Sequence, residues 1–148
     1  MSKPRIDIVV LDTNVCLDLF VFRDPRAQPL RDALHAGHLQ AVTRADCRAE
    51  WQAVLAYPRL ALDAALQQQA AIDYDALLRE CSASSVDEPL PRCRDPDDQK
   101  FLELADAAQA AILFTRDTEL LRLARRTAAR FAIITPESWC AAHERALA

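Results

Sequence analysis

Carboxylates are the side chains with the clearest chemical potential in this chain. Asp12 follows directly on the apolar run 6–11, and Asp117 follows Thr115-Arg116 after the apolar run 111–114. Two unrelated segments therefore end a predicted strand in an acid. Glu50 lies on a predicted helix, one turn after Asp46 and one turn before Val54. The stretch Arg94-Asp95-Pro96-Asp97-Asp98 sets three acids at a helix start. Capping and the helix dipole account for one or two of them, and the third is surplus to that need. A group of such acids without Lys or His partners repels itself, raises its own pKa values and destabilises the fold. A divalent ion that prefers oxygen ligands relieves the repulsion, and Mg²⁺ or Mn²⁺ fits carboxylate and water ligands. An ion of that kind can activate a water and stabilise the leaving oxygen in phosphodiester hydrolysis.

Positioning these acids requires a scaffold, and the hydrophobic pattern predicts one. Strands are expected at 6–11, 39–43, 111–114 and 131–134, with helices at 15–22, 30–36, 44–55, 62–80, 98–110 and 118–126. Gly37 ends the second helix, and Pro136 opens a C-terminal one at its first position. Residues 81–97 carry three prolines and read as a long loop with one short strand near 84–86. The alternation predicts an α/β fold, a three-layer α/β/α sandwich around a mostly parallel sheet, as one domain over residues 1–148. In such sheets ligands gather beyond the carboxyl ends of the strands, which is where Asp12 and Asp117 fall.

Composition narrows the function classes. The chain has 148 residues, 51% apolar and 27% charged, enough for one globular core. Its single glycine, Gly37, excludes a glycine-loop phosphate cradle and a dinucleotide fingerprint. Aromatic residues at 6% leave few rings for stacking successive bases. The net charge of −4 removes a cationic coat as a mode of nucleic-acid binding, though a local basic groove does not show in a total. Arg44, Arg48, Arg116, Arg122 and Arg125 are candidates for phosphate contacts, with solvated helix faces as the plainer reading for most of them. Five cysteines, an odd number without close spacing, fit neither a zinc cage nor a disulfide framework. With no signal peptide and no long apolar run, they read as reduced thiols in a cytoplasmic protein without a membrane partner. His35, His38 and His143 lie far from the acidic motifs and read as surface residues.

Four stretches taken together carry a resemblance: Val9-Val10-Leu11-Asp12-Thr13-Asn14-Val15, Ala49-Glu50-Trp51-Gln52-Ala53-Val54-Leu55, Arg94-Asp95-Pro96-Asp97-Asp98-Gln99-Lys100-Phe101-Leu102-Glu103-Leu104-Ala105 and Leu113-Phe114-Thr115-Arg116-Asp117-Thr118-Glu119-Leu120-Leu121. In this order they resemble a PIN domain, most closely the bacterial branch of toxin components of toxin–antitoxin systems. Ile133-Ile134-Thr135-Pro136-Glu137 is similar to that branch's closing strand and helix, so the resemblance spans residues 5–140. It implies a metal-dependent ribonuclease acting on single-stranded or structured RNA. The family's catalytic and metal-binding acids fall on Asp12, Glu50, Asp98 and Asp117, its accessory polar positions on Asn14 and Thr115, and an extra acid of the branch on Asp95. Arg116 departs from the glycine usual in that branch, and an arginine there can contact a phosphate or a carboxylate.

On this reading Asp12, Asp98 and Asp117 bind one Mg²⁺ or Mn²⁺, while Glu50 positions a second ion or the attacking water. A toxin role adds an antitoxin partner. A homodimer is the other partner the resemblance raises, with the apolar residues 17–22 readable as its surface or as core. Two other classes compete. One is a non-catalytic PIN-like module that binds RNA or protein. The other is a haloacid-dehalogenase-type phosphatase, which wants a second Asp where Asn14 stands and a phosphate-binding lysine, for which Lys100 is the only internal candidate.

Overall fold

Strand β1 (Asp7–Leu11) turns Val9 and Leu11 into one hydrophobic core and Val10 into another, all three almost fully buried. That two-sided burial is what a β-branched run at the centre of a parallel sheet provides for. In the computed structural model, which describes residues 6–82 and 89–147 with side chains as far as residue 142, β1 pairs in parallel with β2 (Leu39–Thr43) and β4 (Ile112–Phe114). Strands β3 (Leu78–Glu80) and β5 (Ala132–Ile134) extend the sheet to the order β3-β2-β1-β4-β5, with every pairing parallel. The strand expected near 84–86 lies outside the described residues.

Helices cover both faces, which makes the three-layer α/β/α sandwich. Helices α1 (Thr13–Phe20), α2 (Gln28–His35) and α4 (Ala64–Leu77) pack on the Val9/Leu11 side, as does the C-terminal half of α3 (Ala45–Leu55). Trp51 of α3 stacks on Tyr74 of α4 at 5.3 Å, and Phe20 of α1 meets both rings edge-on; each such pair contributes about 0.5–1.5 kcal/mol beyond area burial. Helix α8 (Pro136–Leu147) adds Trp139 to this side. Helices α5 (Gln99–Ala107), α6 (Thr118–Leu121) and α7 (Ala124–Thr127) lie on the other side, where Phe101, Leu102, Leu113 and Leu120 are essentially inaccessible. Gly37, at φ +79°, closes α2: its own N–H reaches the Leu34 carbonyl and the His38 N–H the Ala33 carbonyl. Glycine enters this left-handed conformation without steric cost.

Two expectations are corrected. The helix expected over 62–80 stops at Leu77, and Leu78–Glu80 is a strand, with Ala41 opposite Leu78 and Thr43 opposite Glu80. Helical propensity continues past Leu77, but pairing satisfies the open edge of β2 and buries Leu78. The helix expected over 118–126 is two single turns, because the Leu123 and Arg126 amides reach back three residues, to the Leu120 and Leu123 carbonyls.

The five cysteines are free thiols, four of them buried. His35 and His38 are exposed. Of the stretch 17–22, Leu17, Leu19 and Phe20 belong to the core while Phe22 is exposed, so most of it serves packing. Among the described residues no helix is long and apolar enough to cross a membrane.

Candidate active site at the strand ends

Sheet register builds the centre of the site. Leu11 and Phe114 lie opposite each other in β1 and β4, so the next residues, Asp12 and Thr115, leave the sheet side by side. The Asp12 amide donates to the Phe114 carbonyl at 3.0 Å and the Thr115 amide to that of Ile134 at 3.1 Å. Both side chains are buried, and Thr115 Oγ1 donates to Asp12 Oδ2 at 2.7 Å. The same hydroxyl oxygen accepts the Asp117 N–H at 3.0 Å, which fixes the turn out of β4. Asp117 then caps α6, its Oδ1 accepting the Glu119 N–H at 2.8 Å.

Asp98 is brought in by the start of another helix. Pro96–Asp98 forms a single 3₁₀ turn that leads into α5. The Asp98 carboxyl is half-buried and lies near enough to that of Asp117 for the two to interact. Burial, this interaction and the charges of Asp12, Asp117 and Asp95 push its pKa up to about 7. Neighbouring negative charge and burial both disfavour ionisation of Asp98. Burial likewise raises the pKa of Asp12; the Thr115 hydrogen bond opposes this, while the charges of Asp117 and Glu50 add to it. Asp12, Asp98 and Asp117 thus form one interacting set, with Glu50 near enough for its charge to reach Asp12.

Glu50 is held differently from the other three. Its Oε2 accepts a hydrogen bond from Thr13 Oγ1 at the start of α1, and its Oε1 accepts one from Lys100 Nζ at 2.9 Å. Lys100 also donates to the Asp97 carbonyl. Burial lowers the Lys100 pKa, but the pairing with Glu50 more than offsets this and the net shift is upward. An acidic group lacking a lysine partner was the expectation, so Lys100 is a correction. Its sequence signal is its rarity: it is the one internal lysine in a chain with 16 arginines, two positions after Asp98.

The remaining candidates divide. Asn14 is exposed on the first turn of α1, beside Asp12. Asp95 is exposed and caps the 3₁₀ turn, its Oδ1 accepting the Asp97 N–H at 3.0 Å. Arg116 is turned onto Asp18, Nε to Oδ2 at 2.6 Å, and onto Glu137 of α8. It therefore ties the β4 exit to α1 and α8 through two carboxylates, one of the two kinds of contact expected of it. Arg44 pairs with Asp46 and Glu103, Arg48 with Asp75, and Arg122 with Glu119.

Among the described residues no three His, Cys, Asp or Glu side chains converge closely enough to cage a metal alone. The donor set still fits a hard divalent ion. It is all oxygen, and it brings the half-buried Asp98 and the buried Asp12 within reach of each other's charge and of that of Asp117. Mg²⁺ in particular is usually held by one or two carboxylates and keeps several waters.

Comparison with known families matches residues 8–119 to the PIN domain. The chain belongs to the PIN domain family. The match spans well over half the chain and contains Asp12, Glu50, Asp95, Asp98 and Asp117, while β5 and α8 lie beyond it. PIN domains are generally nucleases and typically use divalent metals, so this PIN domain has a nuclease-type fold. No curated protein matches the chain.

Proposed function

We propose that this PIN domain is a Mg²⁺- or Mn²⁺-dependent endoribonuclease that hydrolyses phosphodiester bonds in single-stranded or structured RNA. The observation that carries the reading is the buried Asp12 carboxylate, aligned with the Asp117 turn by the Thr115 hydroxyl at the strand-end rim, with Asp98 close enough to interact with both acids. The ion would be held by Asp98, by the Asp117 oxygen not used in capping, and by the Asp12 oxygen not bonded to Thr115. When bound, such an ion supplies a water of lowered pKa and stabilises negative charge on the phosphate. Thr115 orients Asp12 and Asp117 together through its one hydroxyl. The open rim admits a splayed single strand better than a stacked duplex.

We also propose that the protein acts in the cytoplasm as the toxin of a toxin–antitoxin pair. A cluster of acids at an open rim suits a basic side chain from an antitoxin, which would neutralise them and block the site. The five free thiols suit a reducing compartment.

The experiment is cleavage of end-labelled single-stranded RNA and DNA of one sequence by the purified protein with Mn²⁺. RNA should be cut, and Asp12→Asn should abolish cutting. In EDTA, Asp12→Asn should melt no lower than wild type, because it removes one charge from a crowded set. Cleavage that survives Asp12→Asn would exclude the reading. Mn²⁺ binding without cleavage would favour a non-catalytic binding module.

A further inference from the structure

We propose that the Lys100 ammonium is a built-in second cation of this site, so that the chain needs one divalent ion and presents Lys100 Nζ to the substrate phosphate. The inference rests on the nuclease reading above and deepens it. Both Glu50 oxygens are already engaged by the protein, Oε2 by the Thr13 hydroxyl and Oε1 by the ammonium. A divalent ion on Glu50 would have to displace the ammonium or sit directly against it, and like charges at such range oppose each other strongly. Glu50 is therefore the holder of a cation the chain supplies, and the divalent ion belongs to Asp12, Asp98 and Asp117.

The geometry supports delivery of that charge to a phosphate. Lys100 lies one residue past Gln99, the first residue of α5, and its Nζ is anchored at two points, Glu50 Oε1 and the Asp97 carbonyl. An ammonium has three N–H donors. The third has no partner among the described residues, and the side chain is 15% exposed, enough to meet a ligand without floating in solvent. The Lys100 ammonium also lies 5.1 Å from the centroid of the Phe101 ring, which restrains it further. The anchoring acid comes from α3 and the lysine from α5, so tertiary packing sets the placement.

The test counts Mn²⁺ ions bound per chain without RNA, by the loss of the free-ion electron paramagnetic resonance signal. Wild type should bind one. Lys100→Met should bind a second, on the freed Glu50, while Lys100→Arg and Glu50→Gln should keep the count at one. With labelled RNA, Lys100→Met should raise KM roughly tenfold or more, the scale of a charge-assisted hydrogen bond, and Lys100→Arg should restore it. Two ions in wild type, or a Glu50→Gln variant that binds none, would overturn the inference while leaving the nuclease reading intact. A Lys100→Met variant that still binds one ion at unchanged KM would do the same. No ion bound by wild type would overturn both.

Discussion

Thr115 Oγ1 donates to Asp12 Oδ2 at 2.7 Å, joining residues 103 positions apart at the ends of adjacent parallel strands. The same oxygen receives the Asp117 N–H, so one hydroxyl aligns two of the site's acids. Thr115→Val should therefore remove two hydrogen bonds and leave a buried carboxylate oxygen and an amide unsatisfied. Stability should fall by about 1–3 kcal/mol, read from urea unfolding in EDTA. The Asp12 pKa should also climb further, since this bond is what opposes its burial, and Mn²⁺ affinity should require a higher pH. Thr115→Ser should restore both properties.

Asp98 makes stability fall as pH rises in the absence of metal. In the fold it keeps its proton up to about pH 7, whereas in the unfolded chain it loses it near about pH 4. Between these values the folded state binds more protons, so stability declines across that window and the loss is complete above it. Asp98→Asn should match wild type at about pH 4 and exceed it by about 1–2 kcal/mol at about pH 8, a value reduced for the solvent screening of a half-exposed group. Mn²⁺ should reverse the trend, raising the wild-type Tm more at the higher pH, because ligation needs the deprotonated acid. Thermal scans at both pH values, with EDTA and with Mn²⁺, check this.

Arg116 is a structural tie. Arg116→Ala leaves Asp18 and Glu137 without their cation, and Asp18 is largely buried. A loss of about 2–3 kcal/mol in unfolding free energy should follow, with RNA cleavage per folded molecule within about twofold of wild type at a temperature where the variant is folded. Unchanged stability with weakened RNA binding would instead return Arg116 to the substrate.

Asp95 should matter less than its neighbours. It is exposed, and one oxygen is spent on the Asp97 amide. Asp95→Ala should cost about 1 kcal/mol or less as a lost cap and should leave Mn²⁺ affinity within about threefold, because its charge acts on Asp98 only as the weakest of several influences. Mn²⁺ titration of the variant beside Asp98→Asn separates the two roles.

Residue order alone determined the parallel α/β frame and the acids at its rim. Apolar runs such as 6–11 and 111–114 are short and bounded, and an acid directly after the first or three residues after the second must emerge at the carboxyl edge of the sheet. The turn at Gly37 was equally legible, because a left-handed helix end favours that residue type. Only the tertiary structure decided which charges meet. Glu50 and Lys100 are fifty positions apart, and their pairing depends on α3 and α5 packing side by side. Arg116 neighbours Asp117 in sequence yet points to Asp18 and Glu137, since consecutive side chains leave a strand end in different directions. Leu78–Glu80 became a strand because β2 offered an unpaired edge, a demand that local propensity does not contain. The raised pKa of Asp98 likewise arises from burial and the nearness of other acids, and neither exists until the chain has folded.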